Sequence, residues 1–283
     1  AAAGAVLAGS GFSDLVARPR LVHLDYAAQL RAALPPALLA DAGDPRRAVE
    51  ALWALLLSAD ETASARQLEV LGSAYPPDTL LGVRQRRDTL AAVSPALRMP
   101  LLMRLFPALG RRPVAERQAL LDLMGRVIAA DGAISISEYA FARLARLHLD
   151  EQVAPPAAAS ELPADQLEAE LQIVFSVLAH CGQGDPGFAG RAFDRGMTQV
   201  VAVPHVHYEP PSDWVPAMDR ALARLDTMRL NDKARLVEGL AAVVSEDGRL
   251  DVEEAELLRA ICGSLHCPLP PLMLGDGTAA LAD

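Results

Sequence analysis

Two stretches of the chain set a carboxylate, a glycine and a second carboxylate at a spacing that could hold a cation. They are Asp131-Gly132-Ala133-Ile134 with Glu138, and Asp247-Gly248-Arg249-Leu250 with Glu254. In each, an aliphatic residue follows two after the glycine and a glutamate six after it, as in the second half of an EF-hand calcium loop. The first half is poor in ligands. With the glycines at the turn position of such a loop, the first two ligand positions fall on Val127 and Ala129 in one copy and on Val243 and Ser245 in the other. The expectation is a structural turn, in which the glycine takes positive φ and the aliphatic residue plugs the core. Asp131, Glu138, Asp247 and Glu254 are the oxygens a metal would use if one bound.

His205-Val206-His207 would set both imidazoles on one face of an extended segment, where a metal could use them with Glu209. A pair of surface-loop histidines is the commoner outcome of such a match. His180-Cys181 and the group Cys262, His266 and Cys267 lack the two close pairs of a structural zinc site. Three cysteines, an odd and sparse set, do not suit a disulfide framework and point to a reducing compartment. Gly182-Gln183-Gly184-Asp185-Pro186-Gly187 lacks the Lys-Ser/Thr ending of a phosphate loop and reads as a plain loop. There is no His-Glu-x-x-His or Gly-x-Ser-x-Gly and no convincing Cys-His pairing, so no catalytic residue, metal ligand or cofactor is assigned within the chain.

One stretch departs from the charge of the rest. Between residues 84 and 112, Arg84, Arg86, Arg87, Arg98, Arg104, Arg111 and Arg112 stand against the single acid Asp88, in a chain of net charge −10. A solvated face paired with acidic neighbours is the plain reading. The sharper one is contact with an anionic membrane surface through Arg84, Arg86, Arg87, Arg111 and Arg112. The overall acidity speaks against nucleic acid as a partner. Lys233 is the only lysine among 26 basic residues, a bias that a GC-rich genome explains better than anion recognition.

These residues need elements to position them, and composition points to helices. Of 283 residues, 52% are hydrophobic but only 4% aromatic, so the core must be built of Ala, Leu and Val in closely packed helices. A shift of 116 positions superposes Leu120 on Leu236, Met124 on Leu240, Val127 on Val243, Ile134 on Leu250 and Phe141 on Leu257. A whole helix, turn and helix therefore recurs around the two Asp-Gly turns.

The expected fold is all-α, an array of antiparallel helical hairpins. Residues 1–20 read as a linker, 21–152 as a first helical unit, 153–163 as a linker or loop, 164–272 as a second unit and 273–283 as a flexible tail. Asp44-Pro45 opens a helix as N-cap and first helical residue, and Trp53 anchors it. Val200–Pro211 alternates Val, His and Tyr and could hold one short strand. No apolar run approaches the roughly 20 residues that span a bilayer, so the segment is expected to be soluble. It opens on Ala rather than Met, which suggests a piece of something longer.

The two Asp-Gly helix pairs resemble TerB-like helical domains, named for tellurite-resistance proteins. A longer likeness runs through His23-Leu24-Asp25-Tyr26-Ala27, Leu34-Pro35-Pro36-Ala37-Leu38, Ala51 to Leu57 and Ala65-Arg66-Gln67-Leu68. It continues through Ile128 to Gly132, Glu138-Tyr139-Ala140 and Glu254 to Arg259. Together these segments, spread from Val22 to Leu272, resemble the region following the protease domain in bacterial membrane-bound zinc metallopeptidases of the HtpX and CAAX-prenyl-protease type. The resemblance implies a non-catalytic accessory region on the cytoplasmic side of the inner membrane, binding a protein partner or the parent protease domain. Zinc and the His-Glu-x-x-His helix would belong to the parent's catalytic domain, upstream of Ala1. A partner helix laid in a groove between helices would suit such a region. The alternative is a free-standing TerB-like, metal-responsive binding module.

Overall fold

The computed structural model describes residues 12–16, 18, 20–149, 163–182 and 185–272. The chain is all-helical, with no strand among the described residues. In chain order the helices are α1 (Leu21–Ala33), α2 (Pro36–Asp41), α3 (Pro45–Leu56), α4 (Glu61–Gly72), α5 (Pro77–Ala91), α6 (Arg98–Leu109), α7 (Val114–Ile128) and α8 (Ile136–Leu149). They continue as α9 (Ala164–Gly182), α10 (Pro186–Val200), α11 (Trp214–Leu225), α12 (Leu230–Val244) and α13 (Val252–Ser264).

Two compact units divide the chain. One comprises residues 28–155; the other joins residues 1–27 to 156–283. The linker expected over residues 1–20 is thereby corrected in its described part. Phe12–Leu15 forms a 3-10 turn on α12, with Leu15 buried and the Ser13 N–H donating to Glu238 Oε1 at 2.6 Å. Its partner lies 225 residues away, a pairing no local pattern announces. Of the linker expected at 153–163, residues 153–162 lie outside the described residues, as does the tail expected at 273–283.

Short-range signals start the helices. Asp44 accepts from the N–H of Arg46 at 2.8 Å and of Arg47 at 3.0 Å, and Pro45 follows as the first helical residue. Asp185-Pro186 repeats the device at α10, where Asp185 accepts from Gly187 and Phe188. The loop expected over 182–187 therefore ends as a helix start. In the unit of residues 28–155, α3 packs on α5 and α6 around the fully buried Trp53, whose ring lies 6.0 Å from that of Tyr75. In the other unit, α10 packs most extensively on α12. Gly196 and Gly239 set that approach: a Cβ on Gly239 would stand 2.8 Å from the Gly196 carbonyl oxygen and 2.8 Å from Phe175 Cζ.

The strand anticipated in 200–211 is also corrected. Val200 closes α10, and residues 201–213 connect to α11 without joining a sheet. The period of two is nevertheless real. Pro204, Val206, Tyr208 and Pro210 are half-buried while His205, His207 and Glu209 are exposed. The alternation reflects a chain laid on a helix rather than on a neighbouring strand.

Candidate functional site: turns, strap and groove

The two Asp-Gly turns are built alike. Gly132 has φ +84° and Gly248 has φ +74°, the left-handed region that glycine enters without strain. Asp131 Oδ1 accepts from the Ala133 N–H at 3.2 Å, and Asp247 Oδ1 from the Arg249 N–H at 2.9 Å. Three residues on, each copy carries a reciprocal helix cap. Ser135 Oγ accepts from the Glu138 N–H while Glu138 Oε2 accepts from the Ser135 N–H, and Asp251 and Glu254 do the same for α13. The four carboxylates that spacing offered to a metal are thus the acceptors that hold the turns and open the helices. Sequence carried the signal for this role in Ser135-x-x-Glu138 and Asp251-x-x-Glu254, which the EF-hand comparison passed over. Among the described residues no three His, Cys, Asp or Glu side chains are grouped to hold a metal ion, His205 and His207 included.

The copies differ in the second oxygen of the capping glutamate. Glu138 Oε1 receives the Gln67 side-chain N–H at 3.2 Å, and Gln67 is itself fully buried and bonded to Leu56 and Ser58. Glu254 Oε1 instead lies against Gly182 at the end of α9, where any Cβ would overlap it. Burial of Glu254, with help from Asp251 and Asp247, raises its carboxyl to about 7. Burial likewise pushes the adjoining Cys181 thiol up, and the acids at the start of α13 add to it, so this cysteine is no ready nucleophile.

His205 and His207 belong to the strap on α9. Glu168, Gln172 and Ser176 stand one helical step of four residues apart on that helix. They bind, in turn, the His205 N–H at 2.9 Å, the His207 carbonyl at 2.8 Å and the Glu209 N–H at 3.1 Å. Four helical residues rise about 6 Å and two extended residues about 6.6 Å, so the two periods stay in step over this length. His180 Nδ1, one step further along, lies 2.8 Å from Tyr208 Oη. The His205 amide and imidazole lower the Glu168 carboxyl.

The arginines separate into bonded and free. Arg86 makes a bidentate pair with Asp41, at 2.8 and 2.9 Å, and a third contact with Glu50 at 2.7 Å. All three are largely buried, and Gly82 leaves the room: a Cβ there would stand 2.5 Å from Glu50 Oε2. Arg86 is therefore withdrawn from the anionic-surface set. Arg87 pairs with Glu61 and Arg112 with Glu116, each at 2.7 Å. Arg84 and Arg111 are exposed and have no ion pair among the described residues.

Arg84 borders an open groove of about 760 Å³ between α4 and α5. Ala65, Leu68, Gly72 and Leu80 give it an apolar floor, with Glu61 and Glu69 along one wall and Arg84, Arg87 and Asp88 along the other. Buried Ser64, also at the groove, has no hydrogen-bond partner for its hydroxyl among the described residues. A smaller cleft of about 300 Å³ in the other unit lies beside Arg18, Leu230, Asn231 and Cys267. No described helix is long and apolar enough to cross a membrane. Comparison with known proteins found no match among family models, curated proteins or solved structures.

Proposed function

We propose that the chain is a non-catalytic protein-interaction region whose α4–α5 groove receives an amphipathic helix of a partner. The observation that carries this reading is the groove itself: two antiparallel helices leave an apolar channel with charged walls, the shape a third helix fills by ridge-into-groove packing. The occupant is specified by charge. Its apolar stripe lies on Leu68 and Leu80, an acid on one flank meets the unpaired Arg84, and a base on the other meets Glu69.

The parent suggested by the segments from Val22 to Leu272 is a membrane-bound zinc metalloendopeptidase, with this region on the cytoplasmic side of the bacterial inner membrane. The helix received would then come from the protease domain or from a protein it handles. Zinc and its ligands belong to that catalytic domain. The alternative metal-responsive reading asks Asp131, Glu138, Asp247 and Glu254 to ligate a cation while they hold turns and cap helices, which favours the interaction reading.

The reading frame that encodes the chain tests the parent. Transmembrane segments and a His-Glu-x-x-His helix preceding Ala1 are the expected result. A start codon immediately before Ala1 would overturn the metallopeptidase parent. The groove is tested separately, by cross-linking.

A further inference from the structure

The C-terminal end of α13 is closed by a cap that begins and ends on a cysteine. The Cys267 N–H donates to the Cys262 carbonyl at 2.9 Å and the His266 N–H to the Gly263 carbonyl at 3.0 Å, while His266 takes φ +55°. Such a pair of bonds around one left-handed residue is a common way for a helix to stop. Glycine is the usual occupant of that position, and His266 is the one non-glycine residue at positive φ among the described residues. Two side chains hold the turn. Asp226 Oδ1 lies 2.9 Å from His266 Nδ1 and accepts from Lys233 Nζ at 2.6 Å, and Lys233 Nζ also donates to the Leu265 carbonyl at 3.0 Å.

The cap brings its first and last residues together, a place that two apolar side chains ordinarily fill. Here both are cysteines, and both are buried. Their main-chain bond of 2.9 Å sets the two Cα atoms roughly 5 to 6 Å apart, within the range of about 4.4 to 6.8 Å that a disulfide spans. Cys181 is no rival partner. It adjoins the acids at the start of α13, and Cys262 stands eight residues beyond Glu254, roughly 12 Å along the helix.

We infer that Cys262 and Cys267 form a reversible disulfide, a thiol pair that hydrogen peroxide oxidises within the folded chain. Cys267 reacts first, because it borders the cleft of about 300 Å³ beside Arg18 and Asn231, whereas Cys262 is fully enclosed. Its sulfur attacks one peroxide oxygen: an S–O bond forms, the O–O bond breaks, and hydroxide leaves with the thiol proton as water. The Cys262 sulfur then attacks the sulfenic sulfur of Cys267. The S–S bond forms, the S–O bond breaks, and a second water carries away the Cys262 proton. The two sulfurs give up two electrons in all, and the peroxide accepts them. Burial raises both thiols, although the Lys233 ammonium pulls Cys267 the other way, so the pair answers to sustained rather than brief oxidant. The bridge fastens the turn from which the chain returns Leu269 and Leu272 to the core.

Peptide mass mapping of the folded chain after hydrogen peroxide, with the remaining thiols alkylated, tests the pair. The expected product has lost two hydrogens across Cys262 and Cys267, keeps Cys181 alkylated, and regains both thiols in dithiothreitol. Its rate of formation should rise about tenfold per pH unit from pH 7 to 8, as attack by a thiol held mostly protonated requires. Cys262→Ala leaves Cys267 without its partner, so the sulfenic acid should persist and be captured by dimedone, as it should not be in the parent chain. Equilibrated with reduced and oxidised glutathione, the bridge should be at least tenfold more stable in the folded chain than in urea. The inference is overturned if Cys262 and Cys267 both stay alkylatable, if Cys267 passes to the sulfinic acid, or if it bridges Cys181 or a second chain instead. A bridge no more stable in the folded chain than in urea would overturn it too.

Discussion

Glu254 Oε1 rests against the Cα of Gly182, so the glutamate that opens α13 is pressed on the last turn of α9. The contact places a carboxylate beside a helix C-terminus, where backbone carbonyls and the burial of the group both disfavour charge.

That relationship predicts a pH dependence of known sign. The folded-state carboxyl of Glu254 is raised to about 7 from its ordinary value of 4.5. The native state therefore prefers the protonated form, and its stability falls as pH rises from 4.5 through 7. The fall is on the order of 3 kcal/mol if the whole shift is realised. Glu254→Gln keeps an acceptor for the Asp251 N–H and removes the titration. Urea unfolding should show it more stable than the parent at pH 8 and equal to it at pH 4. A constant difference across that range would contradict the assignment.

Removing Arg86 leaves two buried carboxylates without their counter-charge. Arg86→Met should cost about 3 to 5 kcal/mol in chemical denaturation, as breaking a buried ion pair does. Arg84→Ala, at an exposed position two residues earlier on the same helix, should stay within about 0.5 kcal/mol. Equal effects would mean that the Asp41–Arg86–Glu50 cluster is not what holds α5 to α2 and α3.

The crossing of α10 and α12 has no room for a side chain at its centre. Gly239→Ala would put a Cβ 2.8 Å from the Gly196 carbonyl oxygen and from Phe175 Cζ. The expected cost is about 1 to 3 kcal/mol of stability, despite the better helix propensity of alanine. A melting temperature at or above that of the parent would show that the helices separate freely.

Glu168→Ala removes the acceptor for the His205 amide and the partner of its imidazole. Hydrogen exchange should quicken at His205 while the amides in the middle of α9 keep their protection. Loss of protection throughout α9 would mean that the strap supports the helix rather than the reverse.

Much of the fold is legible in the sequence because its signals are local. Asp44-Pro45 starts a helix within three residues, and the duplicated Asp-Gly turns follow from glycine's freedom at φ +84° and +74°. The candidate site was harder to read because its meaning is set by distant partners. Arg86 looks like a surface charge until Asp41, 45 positions earlier, folds onto it. The alternation of residues 204–210 looks like a strand, and only α9 decides that its main chain bonds to Glu168, Gln172 and Ser176 instead. The groove has no motif at all, since Ala65, Leu68, Arg84 and the rest acquire their roles from the pairing of two helices.

The measurement that bears most directly on the interaction reading is site-specific photo-cross-linking in the host cell, with the cross-linker at position 80 in the groove and, for comparison, at the exposed position 111. The account predicts an adduct from position 80 that maps to an amphipathic helix bearing an acid, and that is lost when Ala65→Arg fills the channel of the otherwise folded chain. Adducts no stronger from position 80 than from 111, or unaffected by Ala65→Arg, would contradict it.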